Sequence, residues 1–137
     1  MKLNVTNEKT LQELTKHLTK GVNIFVLIYM NGCDPCNETK PEWAKINNKW
    51  RNTIVSQIDK DVLENKSNEE KFHLKDVVGF PTIRHYNRKG KKDYSGERNV
   101  NAFEKWINSI VRDSKTKNKS RKRRGLKSRM KRTKRYI

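Results

Sequence analysis

Residues 22–43 read "VNIFVLIYMNGCDPCNETKPEW". A β-branched and aromatic run from Val22 to Met30 stops at Asn31-Gly32 and meets two cysteines three positions apart. A continuous apolar run of this kind suits a central strand buried on both faces. After Gly32 the period changes, and Trp43, Ile46 and Trp50 fall on one side of a helix expected from Cys33 to about Trp50. Pro41 lies inside that helix and predicts a kink or break.

Upstream, "KLNV" at residues 2–5 reads as a short strand. Leu11, Leu14 and Leu18 then follow helical spacing, with Thr6 or Asn7 as N-cap and Gly21 as stop. Downstream, "TIVSQID" at 53–59 alternates like a second core strand. Residues 60–76 are helix-prone, with a loop near Asn65 to Asn68. "FPTIRHYN" is strand-like, and a turn at Gly90 leads into a short edge strand. Val100, Phe103, Trp106, Ile107 and Ile110 mark the face of a last helix. The order β-α-β-α-β-α-β-β-α predicts an α/β fold, a mixed sheet with helices on both sides. Within it, Trp43, Trp50 and Trp106 read as core residues.

The charge is unevenly placed. Of the 137 residues, those from Arg112 onward hold 14 Lys/Arg against one acid, Asp113. Residues 1–111 hold 19 basic and 14 acidic side chains, so the net charge of +18 divides into +5 and +13. A domain at 1–111 and a basic tail at 112–137 follow, the tail expected to be disordered alone. No secretory signal is evident, and the longest apolar run is too short to span a bilayer. The expectation is a protein without a transmembrane segment, not secreted, in the cytoplasm or nucleus. In a reducing compartment two cysteines do not form a permanent staple. The Asn/Lys-rich composition also suits an AT-rich genome such as that of a large DNA virus, whose virion could package the protein.

Cys33 and Cys36 admit three readings. Structural zinc needs four ligands, and the remaining candidates, His17, His73 and His85, are not paired at ligand spacing. Two ordinary reduced cysteines would not need a strand before them and a helix after them. A redox pair fits the physics better. Residues three apart at a helix start share a face, close enough for a disulfide to close. Cys33 at the helix N-terminus meets unpaired N–H groups and the positive end of the dipole, which favour its thiolate. Cys36, one turn in, stays a thiol until needed. Cys33 then attacks a substrate disulfide and Cys36 resolves the mixed disulfide. No phosphate-binding glycine loop, Ser-His-Asp order or paired catalytic carboxylates can be assembled.

"CDPC" followed by Pro41, then "VVGFPTI" (77–83), then "YSGER" (94–98), together resemble the thioredoxin superfamily. "KPEW" and "GFPTI" look most like the a-type domains of protein disulfide isomerases. The resemblance covers roughly residues 3–111. It implies a thioredoxin fold and a cis bond before Pro81, which shapes the substrate groove. It also implies a Phe80 backbone that binds an extended substrate, and a turn at Gly96. Partners would be disulfide-containing proteins and an external reductase or thiol donor, with no metal or organic cofactor.

The departures bear on chemistry. Gly32 replaces the family's tryptophan before the first cysteine. Leu27 stands where members bury an acid, and Gln57 where a lysine faces that acid. Neither charge is stranded, yet the group thought to take the proton of Cys36 is missing, so slower exchange is expected. Pro35 removes the thiolate-stabilising histidine of isomerase motifs, and Asp34 adds a charge that opposes the thiolate. Both tune the couple toward a reductant. The competing expectation is a redox-weak binding module tethered to nucleic acid.

The tail cations are Arg121, Lys122, Arg123, Arg124, Lys127, Arg129, Lys131, Arg132, Lys134 and Arg135, with Gly125 breaking any long helix. Such a block attracts polyphosphate in a salt-sensitive, sequence-blind way. Tyr136 is its sole aromatic residue, so base stacking is not indicated. A nuclear-import signal and an anionic membrane surface fit the same composition.

Overall fold

The run from Asn23 to Tyr29 forms the middle strand, β2, of a five-stranded sheet. A computed structural model describes residues 1–64 and 77–112. Strand β3 (Thr53–Asp59) pairs parallel to β2 on one side, and β4 (Thr82–Asn87) pairs antiparallel on the other. The edges are β1 (Lys2–Val5), parallel to β3, and β5 (Gly90–Asp93), antiparallel to β4. The order is β1-β3-β2-β4-β5, a mixed sheet. Ile24 to Ile28 are all fully buried, as a strand covered on both faces requires. Each such side chain contributes about 1.5–3 kcal/mol of burial, so this strand anchors the core.

Helix α1 (Glu8–Thr19) starts at Asn7, whose Oδ1 accepts from the Thr10 N–H at 3.0 Å. Of the two caps the sequence offers, Asn7 is the one used. Leu11 and Leu14 join Ile24, Val26 and Ile28 in one apolar cluster, covering one face of β2. On the other face Phe25 stacks on His85 at 4.6 Å, and Tyr29 packs against the cysteines. Helix α2 (Asp34–Ala44) holds Trp43, whose Nε1 donates to the Ser56 carbonyl at 2.9 Å.

Of the kink or break expected at Pro41, the break does not occur, and the helix stops at Ala44 rather than near Trp50. The stop has a local cause. Asn48 Nδ2 donates to the Thr53 carbonyl at 3.1 Å, and Asn48 Oδ1 accepts from the Trp50 N–H at 3.4 Å. An asparagine side chain offers the backbone an alternative to helix, and here it wins. After β3 a 3₁₀ turn spans Lys60–Leu63. The rest of the helix-prone stretch, with His73, lies outside the described residues, as does the expected tail beyond Arg112.

The chain divides into two units, Met1–Glu104 and Lys105–Ile137. A helix, α3, covers residues 100–112, with Phe103, Ile107 and Val111 buried and Val100, Trp106 and Ile110 half-buried. In the first unit Phe103 meets the Trp43 ring edge-on at 5.0 Å. Gly96 makes its turn by necessity, since a Cβ there would come within 2.5 Å of the Tyr94 hydroxyl. That hydroxyl donates to the Glu97 carbonyl.

His85 is 5 % exposed, and its Nε2–H donates to Asn23 Oδ1 at 3.0 Å. Burial first, and the Lys92 charge second, push its pKa down to about 4. The unfolded chain takes up this proton near pH 6.5, so stability falls as pH drops from about 6.5 to 4 and is flat above. Urea unfolding should show a loss of about 3 kcal/mol across that window from this group. His85→Gln, which keeps a donor toward Asn23, should remove that share of the pH dependence.

Candidate active site

β2 ends at Tyr29, and the chain then turns through Gly32 at φ +79°, a left-handed conformation that glycine adopts without cost. Cys33 follows as the N-cap of α2, in extended conformation. Its Sγ accepts from the backbone N–H of Cys36 at 3.2 Å. Pro35 sits in the first turn, where a missing N–H costs nothing. The two cysteines are joined by a disulfide, with Cα atoms 5.2 Å apart. Both cysteines are buried, Cys33 at 8 % exposed and Cys36 not exposed at all.

The Phe80–Pro81 peptide bond is cis, as the resemblance implies. The Phe80 carbonyl oxygen lies 3.7 Å from Cys33 Sγ, and the Phe80 side chain packs with Met30 against the pair. Val78, two residues earlier, is completely exposed. Beyond Pro81 a cleft of about 170 Å³ runs between Thr82, Asp93, Ser95 and Arg98. Apolar Val78 and Phe80 thus precede Pro81, and the polar cleft follows it. Asp34 is exposed in the first turn of α2, beside Cys33.

Leu27 lies directly opposite Gln57 in the β2–β3 register, and Leu27 is fully buried. The two substituted positions are therefore neighbours across the strands, as the resemblance implies. Three further residues escaped sequence reading. Tyr29 packs on both cysteines, and burial first, then the Asp59 carboxylate, raise its pKa. The Lys40 ammonium lies 3.9 Å from the centre of the Tyr29 ring. Asp59 accepts from Asn31 Nδ2 at 3.1 Å. Spacing carried a signal for Lys40, one helical turn after Cys36 and therefore on its face.

Among the described residues no group of His, Cys, Asp and Glu could hold a metal ion. His85 is packed in the sheet and His17 lies on α1. The ten tail cations from Arg121 to Arg135 lie outside the described residues.

Residues 3–109 match the family model described as Thioredoxin. The chain belongs to the thioredoxin family. Among curated relatives, the protein disulfide-isomerase of Gallus gallus is 28 % identical over 97 residues. That match takes in 66 % of this chain and only 18 % of the relative, so the chain spans about a fifth of its length. The J-Trx1 fragment of ERdj5 superposes with a TM-score of 0.60 at 16 % identity, covering 81 % of this chain and 52 % of that one. The first thioredoxin domain of mouse protein disulfide-isomerase A4 gives 0.53 at 24 % identity, covering 80 % and 72 %. Oxidised thioredoxin O1 from Arabidopsis thaliana gives 0.57 at 13 % identity, covering 80 % and 97 %. At these identities the likeness is one of fold. A thioredoxin domain with a Cys33–Cys36 disulfide is of the thiol-disulfide oxidoreductase type in general.

The Leu27–Gln57 pair yields a direct test. Leu27→Asp alone should cost about 3–5 kcal/mol in denaturant unfolding, as an uncompensated buried charge. Leu27→Asp with Gln57→Lys should recover part of that loss. Stopped-flow measurement of the resolving step should then run about 10- to 100-fold faster, since a positioned general base is worth at least that much.

Proposed function

We propose that the protein reduces disulfides in other proteins, with Cys33 as nucleophile and Cys36 as resolving thiol. The observation that carries this reading is the Cys36 N–H aimed at the sulfur of Cys33, the less buried of the two cysteines. A helix-start N–H stabilises negative charge on that atom. In the reduced protein the Cys33 thiolate attacks a substrate S–S bond. One substrate sulfur leaves as a thiolate and takes a proton from water, while a Cys33–substrate disulfide forms. Cys36 then gives up its proton and attacks Cys33 Sγ, releasing the second substrate sulfur and closing Cys33–Cys36. Two electrons pass to the substrate, and an external reductase or thiol donor restores them. The reaction as proposed uses no metal or organic cofactor.

Phe80, Val78 and Met30 would hold an extended apolar segment of the substrate, with the Phe80 backbone beside the sulfur. The direction of flux follows from the groups around Cys33. The N–H of Cys36 favours the thiolate, whereas the Phe80 carbonyl and the Asp34 carboxylate oppose it. With proline at position 35 in place of a second stabiliser, the couple is a reducing one. The tail would tether this activity to nucleic acid in the cytoplasm or nucleus, through counterion release.

A redox-weak binding module is the second reading, favoured by the uncharged Leu27–Gln57 pair. Turnover separates the two. The intact chain should reduce insulin disulfides and Cys33→Ser should not; equal, negligible rates would favour the module. Equilibration with glutathione should give a potential near the thioredoxin value of about −270 mV. A value near that of protein disulfide isomerase, about −180 mV, would contradict the reducing assignment.

A further inference from the structure

We infer that the folded domain carries its own nucleic-acid-binding face, at the pole of the sheet opposite the disulfide. This deepens the tether reading above by placing phosphate contacts on the domain as well as on the tail. Three segments meet at the N-terminal ends of β2 and β3. The first is the end of α1, where the Val22 N–H donates to the His17 carbonyl at 3.2 Å. The second is the turn before β3, where the Asn23 N–H donates to the Asn52 carbonyl at 2.9 Å. The third is the β4–β5 turn, held there because Ile24 pairs with Tyr86 and Asn87 with Gly90.

Each segment brings exposed cations: Lys16 and Lys20, Lys49 and Arg51, Arg88 and Lys89. Arg88 crosses from the hairpin to α1, its Nε only 2.9 Å from where a Cβ on Gly21 would lie. None of the six is in an ion pair with a described residue, whereas Lys45 and Lys60 each have an acid. Two acids lie near by. Glu13 is one turn back along α1, and Glu104 accepts from the Asn47 N–H at 3.3 Å. The other described acids lie toward the cysteine end or along the middle of the sheet, among them Asp34, Asp59, Asp61 and Asp93. Six cations against two acids leaves the pole strongly positive.

The backbone holding these cations is fixed by hydrogen bonds, so ordering it on binding costs little. Lys and Arg spread over three segments suit a row of phosphates, each contact releasing counterions. A membrane surface would need apolar side chains beside the charge for firm binding. Beside these cations Met1, whose ammonium donates to the Thr53 carbonyl at 3.1 Å, is the one large exposed apolar side chain among the described residues, and the other, Val78, lies at the cysteine end. The seven residues of β2 separate the pole from Cys33 by roughly 20 Å at strand rise. A bound duplex would therefore leave the sulfur open to substrate.

The test uses the full chain and a 20-base-pair DNA duplex, measured by fluorescence anisotropy over a salt series. Lys20→Gln/Arg51→Gln/Arg88→Gln should flatten the slope of log K against log salt by about 2 to 3, at roughly 0.9 per lost phosphate contact. Lys9→Gln/Lys60→Gln removes two charges at the cysteine end and should change the slope by less than about 1. Insulin reduction should be unaltered in both, which also reports that both are folded. Equal slopes for the triple and the double variant would overturn the proposal, as would binding to phosphatidylserine vesicles without binding to the duplex. Gln at all ten tail positions separates this from the tether. If that variant still binds and the polar triple then abolishes binding, the face stands and the tail reading falls. If it abolishes binding and the polar triple changes nothing, the reverse holds.

Discussion

A sulfur does at Cys33 what an oxygen does at most helix starts. The N-cap side chain of α2 is one half of the disulfide, and it accepts the N–H of the other half, Cys36. The rest of the site depends on that placement. β2 is buried from Ile24 to Ile28, so its register cannot slip without turning apolar side chains to water. Its end point fixes Tyr29 under the pair, and Gly32 supplies the left-handed turn that brings Cys33 to the helix mouth. One residue more or less between Tyr29 and Cys33 would take the sulfur off the cap.

Much of this was legible in the residues. The β2 run, the period change after Gly32 and the proline pattern carried the sheet, the helix start and the sulfur pair. What was not legible follows from contacts across the chain. Asn48 ends α2 early because it bonds to the start of β3, which helical periodicity cannot show. Arg84, within the strand-like "FPTIRHYN", is fully buried and paired with Asp93 across the β4–β5 ladder. His85, beside it, lies under Phe25. Lys40 over Tyr29 needed the strand end and the helix face to be brought together. Alternation places such residues on a face but does not say what covers that face.

The charge pattern has a spatial logic that composition hid. The domain's +5 looked like a mild bias spread over 111 residues. The fold instead gathers six cations at the far end of the sheet and leaves acids such as Asp34 and Asp59 near the sulfur. Leu27 beside Gln57 adds to the same picture: the two positions where the resemblance places a buried acid and a lysine carry no charge. The disulfide and the cation cluster lie at opposite poles of the sheet, separated by the length of β2.

The most direct test of the central claim is covalent. Reduced Cys36→Ser, mixed with a disulfide-bonded protein substrate and analysed by intact mass spectrometry and peptide mapping, should accumulate one adduct, joined through Cys33. Absence of any adduct would contradict the assignment of Cys33 as the attacking sulfur.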